Sequence, residues 1–214
     1  MRVLLLILTA VIAYGLGGIN GAIVASWVLH KKDVRNYGSH NAGLTNYYRT
    51  FGAAGVAVVI AIDILKAVVA VLLGSAIMSI VGYPVVGKLF AGFCLILGHM
   101  YPAFHHFEGG KGALCGATLA FLVDWRVGLI MIVVFVVVII FTRYVSLGSM
   151  LAALMFPIML WTFGYETLEG VLGLLSALLV IVKHGENILR LIGGTESKLN
   201  FKGSKHGAGG DENE

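Results

Sequence analysis

The stretch GAAGVAVVIAIDILKAVVAVLLG at 52–74 indicates a membrane protein, because it is 23 residues long and Asp63 and Lys66 are its only charged side chains. A helix needs about 17 to 25 mainly apolar residues to cross a bilayer, and this stretch is long enough. Two charges at such depth are costly unless they pair or face a polar cavity. Asp63 and Lys66 stand three residues apart on one helix, so we expect a structural ion pair that locks a helix bundle.

The composition of the whole chain agrees with a membrane protein. Hydrophobic residues make up 58% of the sequence and charged residues 12%, with a mean hydropathy of +0.92. Soluble domains carry about 25% charged residues. The formal net charge of +4 fits loops that face anionic lipid and the cytoplasm, so we expect membrane lipid and no nucleic acid as a partner. Cys94 and Cys115 lie in apolar stretches without metal-ligand spacing, so we predict buried thiols and no metal site.

Working outward from 52–74, the apolar runs predict seven transmembrane helices. The predicted fold class is all-α, a polytopic membrane helix bundle in a single domain, 1–202, followed by a polar tail, 203–214, that we expect to be disordered. The segments 84–98 and 113–124 are short, and a five-span alternative lets both dip into the membrane without crossing it. The other predicted spans lie near 3–24, 52–74, 127–142, 146–163 and 168–184.

The distribution of basic residues predicts the orientation. Cytoplasmic loops of membrane proteins carry an excess of Lys and Arg. If the N-terminus lies outside, the outer segments hold only Arg2 and Arg126. The inner segments then hold Lys31, Lys32, Arg35, Arg49, Lys111, Arg143, Lys183, Arg190, Lys198, Lys202 and Lys205. We therefore predict an outside N-terminus and a cytoplasmic C-terminus.

Three polar segments stand out between the spans, and each has a functional and an ordinary interpretation. The segment 35–49 combines glycines, hydroxyls, amides and two arginines, which suits phosphate but also fits a simple loop. In the segment 98–112, Gly-Gly-Lys-Gly before an apolar helix could hold phosphate at the helix N-terminus. The three histidines of this segment are not accompanied by carboxylates at the spacing of a zinc site, so we do not expect them to bind zinc. In the segment 184–198, His184, Asn187 and Arg190 share one helical face, which also fits an amphipathic juxtamembrane helix.

The predicted topology puts all three segments on the inner side, and only the seven-span version brings Lys111 there. This convergence favours seven spans and a phosphorylated substrate. A transporter for such a substrate would need polar residues at both faces or near the midplane, whereas the outer turns are poor in them.

The motifs GSHNAGLTNYYR at 38–49, GHMYPAFHHFEGGKGA at 98–113 and HGENILRLIGGTESK at 184–198 resemble, in order and spacing, those of one enzyme family. This is the PlsY family, the membrane-integral bacterial glycerol-3-phosphate acyltransferases that use acyl phosphate. The resemblance implies seven spans, an outside N-terminus, and transfer of an acyl group from acyl phosphate to the sn-1 hydroxyl of glycerol 3-phosphate. The expected products are lysophosphatidic acid and phosphate. No cofactor is expected, and we predict a monomer in the bacterial inner membrane with its active site on the cytoplasmic side.

The resemblance also implies the site residues. The catalytic candidates are His184, Asn187, Arg49 and Lys111. His184 is expected to act as a general base or only as a hydrogen-bond donor. Within the three motifs, His40 replaces a typical Gly and Glu108 a typical Lys. Elsewhere, Gly17-Gly18-Ile19-Asn20 only loosely matches the family's Gly-Ser-Ile-Pro segment, and Ala67 replaces a common Gly. The predicted substrate-binding residues are Ser39, Asn41, Thr45, Asn46, Arg49, His99, Gly109, Gly110, Lys111, Ser146, His184 and Asn187.

Overall fold

The structure, a computed structural model, describes residues 1–199, and in that range it contains helices and no strands. Short 3-10 turns lie at Val34–Asn36 and Ala103–His105. The α-helices are α1 (Arg2–Gly17), α2 (Gly21–His30), α3 (Leu44–Phe51), α4 (Val56–Ser79), α5 (Pro84–Met100), α6 (Ala113–Val123), α7 (Trp125–Thr142), α8 (Val145–Thr162), α9 (Thr167–Lys183) and α10 (Gly185–Ile192).

Each predicted span contains a helix of this structure, and the all-α prediction is confirmed for the described residues. Five helical segments are long and apolar enough to cross a membrane, namely α1 with α2, α4, α5, α7 and α8. The pair α9 and α10, bent by 58°, makes a sixth if it is one span. Helix α6 is apolar but only 11 residues long. The predicted tail, 203–214, lies outside the described residues.

The first predicted span, 3–24, falls within the candidate crossing Arg2–His30, but the chain breaks inside it, between α1 and α2. Asn20 caps the second helix, with its Oδ1 accepting from the backbone N–H groups of Ala22 at 2.9 Å and Ile23 at 3.1 Å. Its Nδ2 donates to the carbonyl of Ala42 at 2.9 Å. Glycine is unfavourable in a helix interior and Asn is a strong N-cap, so Gly-Gly-Ile-Asn at 17–20 ends one helix and begins another.

The ion pair of Asp63 and Lys66 forms as predicted, with both side chains buried and 2.8 Å between Lys66 Nζ and Asp63 Oδ1. Lys66 Nζ also donates to the carbonyls of Gly17 at 3.2 Å and Ile19 at 2.6 Å. Asp63 Oδ1 accepts from the N–H of Gly21 at 3.2 Å. Backbone N–H and C=O groups without hydrogen bonds are costly inside a membrane. A helix C-terminus favours a nearby cation, and a helix N-terminus favours a nearby anion. The pair therefore satisfies both sides of the break between α1 and α2.

The chain reverses after each long helix, so the connections lie at two ends of the bundle. At one end the guanidinium of Arg2 lies 5.2 Å from the ring centre of Tyr83, and that of Arg126 lies 4.3 Å from the ring centre of Phe163. This end joins α4 to α5, α6 to α7 and α8 to α9.

The opposite end of the bundle gathers the polar segments. Lys183 Nζ lies 4.1 Å from the ring centre of Tyr101, and the N–H of Leu199 donates to the carbonyl of Arg143 at 2.7 Å. The three predicted constellations therefore meet at one end, as the sequence predicted.

Close helix contacts in the core depend on small residues. A Cβ added to Gly87 of α5 would lie 2.3 Å from the carbonyl oxygen of Gly74 on α4. Glycine at both positions lets the two backbones touch, which is typical of helix packing in membranes. Leu89 and Leu95 of α5 are fully buried beside this contact region, so α5 forms the centre of the bundle.

Candidate active site

A cavity of about 460 Å³ lies at the polar end of the bundle and reaches between α6, α7 and α8. All predicted site residues line it except Gly109 and Gly110. Its polar lining consists of Ser39, Asn41, Thr45, Asn46, Arg49, Asp63, His99, Lys111, Ser146, Ser149, His184, Asn187, Arg190 and Glu196.

Cationic side chains from all three predicted segments, Arg49, Lys111 and Arg190, line this cavity. Lys111 Nζ donates to Asn187 Oδ1 and stands just before α6, whose first residue, Ala113, also lines the cavity. Burial and the nearby charge of Arg190 lower the pKa of Lys111 below that of an exposed lysine. Arg49 Nη2 donates to the carbonyl of Ser197 at 3.2 Å. Positive charge and a helix N-terminus thus share one wall, a combination that attracts anions.

Glu196 is a central residue of the site that the sequence reasoning did not single out. Its carboxylate accepts from Ser146 Oγ at 2.6 Å, Asn187 Nδ2 at 2.7 Å and Arg190 Nε at 2.8 Å. Burial disfavours the charged form, but these three hydrogen bonds outweigh it and lower the pKa of Glu196. The signal available in the sequence was Gly193-Gly194, a turn that returns the chain to the site.

The geometry of His184 fixes which of its ring nitrogens faces the substrate space. Its Nδ1 lies 2.8 Å from the carbonyl oxygen of Val180, which can only accept, so Nδ1 carries the proton and donates. In the neutral ring, Nε2 then has a free lone pair. His184 stands at the 58° bend between α9 and α10, and this bend directs Asn187 to the same cavity.

Asn46 lines the cavity, but its amide holds the first polar segment in shape. Its Oδ1 accepts from the N–H of Ser39 at 2.9 Å. Its Nδ2 lies within hydrogen-bond distance of the carbonyls of Val34, Tyr37 and Asn41, at 3.0 to 3.2 Å. Its amide therefore holds the loop that carries Ser39, and a direct role of Asn46 in substrate binding stays a prediction.

The two glycines predicted to cradle phosphate instead pack behind the cavity wall. The N–H of Gly110 donates to the carbonyl of His99 at 3.0 Å. A Cβ on Gly109 would lie 2.0 Å from His99 O, and one on Gly110 would lie 2.3 Å from His99 Nε2. The two glycines are therefore required for contact with His99, whereas Lys111 and Gly112 line the cavity. Direct binding by Gly109 and Gly110 stays a prediction.

The two positions that depart from the family motifs have structural explanations. His40 has a positive φ of 54°, a conformation that glycine adopts freely, and its Nδ1 donates to the carbonyl of Arg35 at 2.8 Å. Glu108 is exposed, with its Oε2 3.7 Å from Arg35 Nη1. Arg35 also contacts Asp33 and the carbonyl of His105, so it joins the first two polar segments outside the cavity.

The remainder of the cavity is apolar and runs between helices. Met131, Ile132, Phe135 and Val136 of α7 line it, opposite Ala152 and Ala153 of α8. The sequence could not identify this groove, since lipid-facing and cavity-facing residues of α7 have the same apolar character. Such a surface beside cationic groups suits an amphipathic molecule with an anionic end.

One buried cluster has the composition of a metal site. Ligand atoms of Asp63, His99 and Cys115 lie within 4.8 Å of one another. However, Lys66 Nζ lies 2.8 Å from both Asp63 Oδ1 and His99 Nδ1. An ammonium already occupies the cationic position, so these residues do not fit a metal ion.

The fold and the cavity define a class: an integral membrane protein in which an apolar groove meets a cationic site for an anionic group. Comparison with known proteins identifies the family. The family model for glycerol-3-phosphate acyltransferase matches residues 7–194. The chain belongs to this family and is an integral membrane acyltransferase of glycerol 3-phosphate, of the kind that works in phospholipid synthesis.

Individual relatives agree over nearly the whole chain. It is 41% identical to the glycerol-3-phosphate acyltransferase of Thermoanaerobacter pseudethanolicus, over 92% of this chain and 96% of that one. It is 42% identical to glycerol-3-phosphate acyltransferase 2 of Bacillus anthracis, over 90% and 98%. The crystal structure of PlsY (YgiH), an integral membrane glycerol 3-phosphate acyltransferase, in its glycerol 3-phosphate form, is similar with a TM-score of 0.81. The two are 31% identical, covering 91% of this chain and 96% of that one. The lysophosphatidic acid form gives a TM-score of 0.78 at 29% identity, over 91% and 95%.

Proposed function

We propose that this chain transfers a fatty acyl group from acyl phosphate to the sn-1 hydroxyl of glycerol 3-phosphate, releasing phosphate and lysophosphatidic acid. The main support is that a single cavity has a cationic end, with Arg49 and Lys111, and an apolar groove between α7 and α8. Acyl phosphate combines an anionic head with an apolar chain, so it matches both parts. Relatives observed with glycerol 3-phosphate and lysophosphatidic acid support the acceptor and the product.

The phosphate groups are held by the cationic wall. Arg49 offers a planar guanidinium that can bind two phosphate oxygens, and Lys111 offers a point charge in front of α6. Ser39 and Thr45 add donors from the first polar segment. Because Asn187 bridges Lys111 and Glu196, it sets the position of the Lys111 ammonium.

Glycerol 3-phosphate binds beside these groups, at Ser146, His184 and Asn187. His184 Nε2 accepts a hydrogen bond from the sn-1 hydroxyl, since its Nδ1 proton is engaged by Val180. This tautomer favours the general-base interpretation over the donor one, because a neutral ring has no proton at Nε2 to donate.

The reaction is a direct transfer. The sn-1 oxygen attacks the acyl carbonyl carbon, the bond from that carbon to the phosphate oxygen breaks, and phosphate leaves with the bonding electrons. The hydroxyl proton passes to His184 Nε2. Acyl phosphate is already activated, so positioning of the reactants and stabilisation of negative charge supply most of the acceleration.

We further propose seven membrane crossings, an outside N-terminus and an inner-membrane location with the cavity on the cytoplasmic side. Helix α6 is about 16 Å long, short of the roughly 30 Å hydrocarbon core. Its first residue lies at the cavity, however, and at its other end Lys88 Nζ donates to Leu122 O at 2.7 Å, beside the turns of the opposite end. A helix that connects both ends of the bundle acts as a crossing. The proposed functional unit is a monomer comprising the domain 1–202.

The test is an assay of the purified protein with labelled glycerol 3-phosphate and either palmitoyl phosphate or palmitoyl-CoA. We expect labelled lysophosphatidic acid, acylated at sn-1, from palmitoyl phosphate only. Product from palmitoyl-CoA alone would overturn the proposed donor, and acylation at sn-2 would overturn the proposed position.

A further inference from the structure

The ammonium of Lys66 lies among four hydrogen-bond acceptors, and two of them, on Asp63 and His99, belong to residues that line the cavity. The carbonyls of Gly17 and Ile19 and the carboxylate of Asp63 account for three. The fourth is Nδ1 of His99, at 2.8 Å. The side chain of Lys66 therefore connects the break between α1 and α2 with a histidine that lines the substrate cavity.

This arrangement determines the protonation pattern of the His99 ring. A charged lysine has three donors and no acceptor, so a ring nitrogen 2.8 Å from it must accept. Nδ1 of His99 is then without a proton, and the neutral ring carries its proton on Nε2. The reverse arrangement would place a ring N–H against an ammonium that already donates to the carboxylate of Asp63, 2.8 Å away.

The protonated edge of His99 has no hydrogen-bond partner among residues 1–199. The side chain is only 4% exposed, and its Nε2 lies against Gly110, immediately before Lys111. No buried side-chain nitrogen or oxygen among these residues lacks a hydrogen-bond partner, so Nε2, which has none, keeps open surface at the cavity that His99 lines. A donor at a cavity wall that no protein group uses is available to a ligand acceptor. An anionic substrate oxygen held by Lys111 would be such an acceptor.

We propose that Lys66 is a positioning residue: it holds His99 in the Nε2–H tautomer, so that His99 donates a hydrogen bond to an anionic oxygen of the substrate. This proposal rests on the proposed function for the identity of that oxygen, but not for the tautomer. His99 and His184, which both line this cavity, then have opposite tautomers: His99 offers a donor at Nε2 and His184 an acceptor.

The first test reads the tautomer directly, without substrate. Nitrogen-15 NMR of histidine-labelled protein in nanodiscs, with the His99 signal assigned through His99→Gln, should show a protonated Nε2 and a bare Nδ1. The double variant Asp63→Asn/Lys66→Met removes both charges and so avoids a buried unpaired carboxylate. We expect it to show a mixture of tautomers. Lys88→Met, which removes a lysine from the carbonyl of Leu122 at the other end of α5, is the matched control and should leave the tautomer unchanged.

The second test separates the donor from the packing role of His99. Asn at this position can keep an acceptor near Lys66 but has no group at the position of Nε2, whereas Gln can place its amide N–H there. We expect His99→Asn to remain folded, with a lower melting temperature because of the space left beside Gly110, and to lower kcat/KM by about tenfold or more, as for loss of a hydrogen bond to a charged group. His99→Gln should retain more activity than His99→Asn despite a lower melting temperature.

These outcomes are distinguishable from failure of the proposed function. A wrong acyl donor would change the substrate used and leave the tautomer as stated. A protonated Nδ1 in the wild-type protein, an unchanged tautomer in the double variant, or full activity in His99→Asn would each overturn the proposal.

Discussion

Replacing Lys111 with methionine removes one positive charge from the cavity while keeping a side chain of similar length. An attraction between unit charges about 4 Å apart is worth about 4 kcal/mol at the effective dielectric of a partly buried site. Part of this attraction already stabilises the bound substrate, so only the remaining part lowers the barrier between the bound substrate and the transition state. We expect kcat/KM to fall by about tenfold to about a thousandfold, which corresponds to about 1.4 to 4 kcal/mol.

The assay is the formation of labelled lysophosphatidic acid, with the melting temperature measured alongside to verify folding. Lys88→Met is the control, because Lys88 is half-buried like Lys111 but donates to Leu122 O away from the cavity. It should retain activity within about threefold, as expected for a site outside the transition-state contacts. A folded Lys111→Met enzyme with near-wild-type kcat/KM would refute the role of this charge.

Three further predictions follow from the same contacts. Arg49→Ala should lower kcat/KM by more than about tenfold, and Arg49→Lys should restore only part of it, because a lysine cannot bind two phosphate oxygens in a planar fork. Glu196→Gln should lower both the melting temperature and the activity, since the carboxylate holds Ser146 and Arg190; equal stability of the two proteins would contradict this. Lys111 binds phosphate as a cation and its pKa is lowered, so kcat/KM should be lost as pH rises through a value below that of an ordinary lysine. Lys111→Arg should move this alkaline limb to higher pH, and an unmoved limb would assign it to another group.

Most of the fold could be predicted from hydropathy, because the thickness of a bilayer requires a long apolar run for every spanning helix. The stretch at 52–74 was recognisable as a helix, and its ion pair followed from the cost of isolated charge. The break at 18–20 was missed, because Gly-Gly-Ile-Asn is apolar enough to continue a span. Only the contacts of Asn20 with Ala22 and Ala42 show that it ends one helix and begins another.

The sequence indicated the cationic residues of the site. It did not indicate the residues whose role depends on contacts between distant segments. Lys111 and Arg49 follow from the requirement for anion binding. Gly110 had the right sequence context for phosphate, yet its N–H is engaged by His99, a contact between segments that no local pattern reveals. Glu196 was missed because a carboxylate in a phosphate site contradicts simple charge matching. It accepts hydrogen bonds from Asn187 and Arg190 in the adjoining helix and from Ser146, which is 50 residues away in sequence.

We propose that both substrates meet at the polar end of one cavity. Protection of an introduced cysteine from a thiol reagent by each substrate is a direct measurement of this. Cysteine placed at Ala113, at the first turn of α6, lies on the cavity wall, whereas one placed at Ala103 lies exposed outside it. With Cys94 and Cys115 replaced by alanine, we would measure the rate at which a charged thiol reagent modifies each position. We expect glycerol 3-phosphate and a non-hydrolysable acyl phosphonate each to slow modification at 113 and to leave modification at 103 unchanged. Modification at 113 that proceeds at the same rate with and without both ligands would contradict it.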